Sequence, residues 1–125
     1  MIANRLIEKV RNVEADLTKE KGPLNLFALF EREDLHNRWD LVISAPWAHF
    51  DRETLKYVAD VIKRHLTPEE MVLLARMVIL PADEDPVLSL NAKFDVEHGE
   101  FEVNHPSRFG LPAKYGYIFT SRSAA

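Results

Sequence analysis

Apolar positions in the first third of the chain follow a helical and then an alternating rhythm. Ile2, Leu6, Val10, Val13 and Leu17 fall on one stripe, with Ile7 beside it, while Glu8, Lys9, Arg11, Glu14 and Asp16 lie off it. That spacing predicts a helix over about residues 3–19. Gly22-Pro23 ends it, because glycine suits a left-handed cap and proline cannot continue a helix. Leu24 to Glu31 then alternates, with apolar residues on both faces in the middle, which predicts a strand covered on both sides. After the polar connection 33–38 comes Trp39, and Leu41-Val42-Ile43 reads as a buried strand. The two strands are expected to form a hairpin, although no turn signature fixes it.

The segment after Asp51 returns to the helical period, with Leu55, Val58, Ala59, Ile62 and Leu66 on one face. Asp51 is a good N-cap, and Phe50 and Leu55 stand at the positions of a hydrophobic staple. Thr67-Pro68-Glu69-Glu70 opens a second, short helix with a capping box. Met71 to Leu80 is apolar except for Arg76. Its length predicts a helix to about Leu74 and a strand over Arg76 to Leu80. Placed parallel to Leu41–Ala45 through a right-handed crossover, that strand is expected to be central, with Ile43 and Val78 both fully buried.

Residues 81–86 form a loop, and Val87 to about Ala92 fits one or two helical turns or an extended segment. Lys93 to Glu97 and Glu100 to Asn104 alternate around His98-Gly99, which predicts a two-residue hairpin turn. Pro106 to Lys114 reads as a loop and Tyr115 to Thr120 as the last strand. The order α-β-β-α-α-β-(α)-β-β-β predicts a single α/β domain over residues 1–120, with α+β as the alternative and 121–125 as a flexible tail. The expected core is a mixed β-sheet with helices packed on at least one face.

Composition narrows the chemistry. A chain of 125 residues, 46% hydrophobic and 29% charged, suits one globular domain. The net charge of −4 speaks against a general nucleic-acid binder. Without cysteine the chain has no disulfide, thiolate metal site or cysteine nucleophile. No signal peptide and no apolar run long enough to span a bilayer is visible, so a cytoplasmic protein without a membrane partner is expected. Gly22, Gly99, Gly110 and Gly116 make neither a P-loop nor a Rossmann pattern, and the five histidines show no metal-ligand spacing. No cofactor, metal or catalytic residue is therefore assigned.

Three stretches remain as candidates. In the expected hairpin, Asp95, Glu97, Glu100 and Glu102 share one face opposite Phe94, Val96, Phe101 and Val103. Like charges set opposite one another destabilise a sheet, so a cationic partner gains by relieving them. The second candidate is the loop after the buried strand, where Ser44, Trp47, His49 and Asp51 bring a hydroxyl, an indole, an imidazole and a carboxylate to a sheet edge that ligands favour. No nucleophile elbow surrounds Ser44. The third is Tyr115, Tyr117 and Phe119, an alternating row beside Arg108, Lys114 and Arg122, which could stack bases but suits a core-facing row better.

The resulting expectation is a small protein-interaction domain of accessory, inhibitor or immunity type, without catalytic activity, meeting a partner with a basic surface. An enzyme or small-ligand site at Ser44–Asp51 is the alternative, and nucleic-acid binding through the C-terminal strand is the weaker one. Sheet edges need covering or charging, so a homodimer is also a reasonable expectation.

Overall fold

Caps and stripes place the helices where the local sequence asks for them. In the computed structural model, which describes residues 4–123, α1 spans Asn4–Lys21 and buries Leu6, Ile7, Val10, Val13 and Leu17. Ile2 falls outside the described residues. α2, Arg52–His65, starts at Asp51, whose Oδ1 accepts the Thr54 amide proton at 2.8 Å. Phe50 is 72% exposed, so the staple is not made and Leu55 packs on the core without it. α3, Pro68–Met71, carries the full capping box between Thr67 and Glu70. α4, Asp85–Lys93, is helical throughout.

Five strands form one sheet in the order β3-β2-β1-β5-β4. They are β1 Leu26–Arg32, β2 Trp39–Ser44, β3 Leu74–Ile79, β4 Phe101–Asn104 and β5 Ala113–Ser121. β1 lies antiparallel to β2 and β5, with Leu29 opposite both Leu41 and Tyr117. β2 and β3 are parallel, and β4 is antiparallel to β5. On one face α1 and α2 pack with Phe27, Leu29, Leu41, Ile43 and Phe119. On the other, Val87 and Leu90 of α4 pack with Leu26, Ala28, Phe30, Val42 and Ile118. The mixed sheet is thus covered by helices on both sides, and β1 is buried on both, as its sequence indicates.

Three local expectations change. β3 is an edge strand and Val78 is only half-buried, whereas Ile43 is fully buried. The central place goes to β1, because β5 returns to its free side and, among the described residues, no strand lies beyond β3. The His98-Gly99 hairpin is absent. Lys93 closes α4, Val96 bridges Ser121, and Phe101 pairs with Ile118, so both arms lie against β5 instead of each other. Five steps of chain from Val96 to Phe101 face three from Ser121 to Ile118, and two extra residues bulge out. His98 takes a left-handed φ of 50°, and a Cβ on Gly99 would stand 2.7 Å from Val96 Cγ1. Finally, Ser121 belongs to β5 and is buried, because its hydroxyl donates to the Phe94 carbonyl at 3.0 Å at the end of α4. Ala124 and Ala125 lie outside the described residues.

Candidate functional site

Of the pleat predicted for residues 93–104, only the stretch Phe101–Asn104 is strand, and it keeps its predicted faces. Glu102 stands opposite Tyr117 on the α1 side, and Val103 opposite Gly116 on the α4 side. The carboxylates no longer face one another, and two have partners of their own. Glu97 lies 3.3 Å from Arg122, and Glu100 lies 3.7 Å from Arg11. Burial pushes the Tyr115 pKa upward, and the neighbouring Glu102 carboxylate adds to the rise. Asp95 is exposed. The cross-strand repulsion inferred from the hairpin is therefore missing.

Ser44, Trp47, His49 and Asp51 do not converge. Ser44 is fully buried, and its hydroxyl has no hydrogen-bond partner among the described residues. His49 and Asp51 line a shallow cleft of about 200 Å³ with Trp47 and Tyr57, and Ser44 is not part of its wall. Asp51 is committed to the α2 N-terminus, and the Thr54 amide holds its carboxyl below the usual range. The Trp47 indole donates to the Gly22 carbonyl at 3.3 Å. The C-terminal aromatics are no stacking face either. Tyr117 and Phe119 are buried in the α1-side core, and Tyr115 is half-buried.

Two features were not legible as sites. Glu14 lies off the apolar stripe of α1, yet is 1% exposed. Its Oε1 accepts from Thr120 Oγ1 at 2.9 Å, and its Oε2 lies 2.7 Å from His98 Nδ1. The bulge is thereby tied to α1 beside a groove of about 490 Å³, where Arg11 also donates to the His98 carbonyl. No local signal links residues 84 positions apart. Both carboxylate oxygens are occupied, so this cluster reads as a clamp on the bulge.

The second feature is the open edge of β3. Among the described residues no strand pairs with its outer side. The Leu80 amide donates to Ile43 O at 2.9 Å, so Arg76, Val78 and Leu80 turn their amides to β2. By alternation, Met77 and Ile79 turn theirs outward. An apolar cleft flanks the strand on each face. One, of about 150 Å³, includes Leu41, Ile62, Leu74 and Met77, and the other, of about 180 Å³, includes Phe30, Val42, Val78 and Leu80. Val72, just before the strand, is 55% exposed. Arg76 Nε donates to Asp40 Oδ2 at 3.0 Å, so the one charge on β3 is compensated.

Among the described residues no group of three or more His, Asp or Glu is placed to hold a metal ion. No helix among them is long and apolar enough to cross a membrane. Compared with protein-family models, curated proteins and solved structures, the chain matches none.

Proposed function

We propose that this chain is a protein-interaction domain that binds by extending its sheet at β3. The observation that carries the reading is the undefended edge: outward amides at Met77 and Ile79, apolar side chains between them, and a cleft on each face. An added strand gains main-chain hydrogen bonds for affinity and side-chain pockets for specificity. The acidic positions Asp95, Glu97, Glu100 and Glu102 are a secondary surface at the opposite edge, where Arg122 and Arg11 already stand beside Glu97 and Glu100.

Proline tests the reading. The Met77 amide makes no bond inside the fold by the alternation above, so Met77→Pro removes a docking donor while leaving the β2 ladder whole. A random peptide library should yield extended, alternating apolar binders on the parent chain and lose them on Met77→Pro. Binders indifferent to the proline would put the contact elsewhere and overturn the reading.

A further inference from the structure

We infer that the strand which docks on β3 is the β3 of a second copy, laid antiparallel about a two-fold axis at Val78; this rests on β3 being a docking edge. The regular part of β3 is bounded at both ends. Trp39 pairs with Leu74 but Asp40 with Arg76, so Ala75 is an extra, bulged residue. Pro81, which has no amide proton, follows Leu80. Between them lies Arg76–Leu80, five residues with Val78 at the middle.

With Val78 opposite its own copy, Met77 faces the second copy's Ile79, and the outward amides and carbonyls of these residues meet as hydrogen-bonded pairs. On the α4 side the stem of Arg76 lies over the second copy's Leu80, and its charge stays on Asp40. Ala75 meets Pro81 of the second copy, so bulge and proline stop the ladder at the same place. No like charges stand opposite one another within the segment.

A β-branched pair at the centre and apolar pairs around it make this edge complementary to itself.

The absence of cysteine supplies the test. The central Val78 pair is of the non-hydrogen-bonded kind, with Cα atoms about 4.5 Å apart, within the range a disulfide bridges. Val78→Cys should form a covalent dimer under mild oxidation, whereas Phe101→Cys on the exposed part of β4 should stay monomeric. Sedimentation of the parent from about 1 to about 200 µM should show reversible dimers. Val78→Lys, checked for folding by circular dichroism, should weaken them about tenfold or more. A parent that stays monomeric, or a dimer untouched by Val78→Lys and uncrossed at Val78→Cys, overturns the self-pairing. A synthetic peptide of residues 74–81 separates this from the reading beneath it. If the chain is monomeric yet the peptide slows hydrogen exchange at Met77 and Ile79, the docking edge stands and only the second copy is wrong. If the amides remain unprotected as well, self-pairing falls, and the response of the library binders to Met77→Pro decides the docking edge.

Discussion

The two edges of the sheet are built on opposite lines. β4 is four residues long, is preceded by a two-residue bulge, carries Glu102 and Asn104, and is tied to α1 through Glu14 and His98. Shortness, bulging and charge are the devices by which proteins stop strand-on-strand association. β3 has six residues and a bulge only at its start, and its single charged side chain is bonded inward to Asp40. A chain that defends one edge and not the other leaves the second free to pair. The contrast teaches more than either edge alone, since exposed apolar residues taken singly are ordinary.

Substitutions on an interior and an edge strand test the contrast most strongly. Ile43→Ala on the interior strand should cost ~2–5 kcal/mol by urea unfolding. Val78→Ala, half-buried at the edge, should cost less than half of that loss. Equal losses would mean that Val78 is covered, and the edge would not be open.

Glu14→Ala attacks the defended edge. It leaves Thr120 and His98 without their shared acceptor and should cost ~1–3 kcal/mol. Hydrogen exchange at Val96 and Gly99 should quicken while Met77 and Ile79 remain unchanged. His98→Gly should cost less than Glu14→Ala, since glycine accepts the left-handed φ without strain. If Glu14→Ala leaves exchange around the bulge unaltered, the clamp has no role there.

Acid should act on the approach to the open edge. Glu70 lies in α3, just before β3, and receives Lys9 Nζ at 2.7 Å. Its carboxyl pKa is lowered from 4.5, first by that bond and then by the Thr67 amide. A carboxylate with a lowered folded pKa stabilises the fold fully above its unfolded value and loses that contribution as pH falls through the folded one. Glu70→Gln should therefore be less stable than the parent near neutrality, by up to ~1 kcal/mol for a partly exposed pair. The gap should close below about pH 4. A gap that persists in strong acid would show that the Lys9 bond contributes nothing pH-dependent.

The smallest effect is expected at the acidic positions. Glu97→Gln with Glu100→Gln removes two exposed ion pairs and should shift stability by no more than ~0.5 kcal/mol. If those residues steer a basic partner, the double variant should associate more slowly and lose its salt dependence. Unchanged rates would leave β4 as a guarded edge only.

Much of the fold was legible before any tertiary information. The α1 stripe, the Asp51 cap, the Thr67–Glu70 capping box and the doubly buried β1 all stand where their sequence puts them. Phe50 is the local exception, because a staple needs both partners to pack and only Leu55 has a core to pack on. The candidate sites fared differently. Ser44 was read as a loop hydroxyl and is a buried strand residue, since β2 runs through it with side chains enclosed on both faces. The alternation around His98-Gly99 gave the right face for Glu102 and Val103, but the wrong partner strand.

Periods, caps and faces are readable locally, because they depend on residues within about one helical turn or one pleat of each other. Strand pairing is settled only in the folded molecule. Pairing is a competition among distant segments, and β5 won both the free side of β1 and the two arms that resembled a hairpin. That outcome put Val78 at an edge. It also brought Glu14 against His98, burying a carboxylate that its position off the helical stripe had marked for solvent.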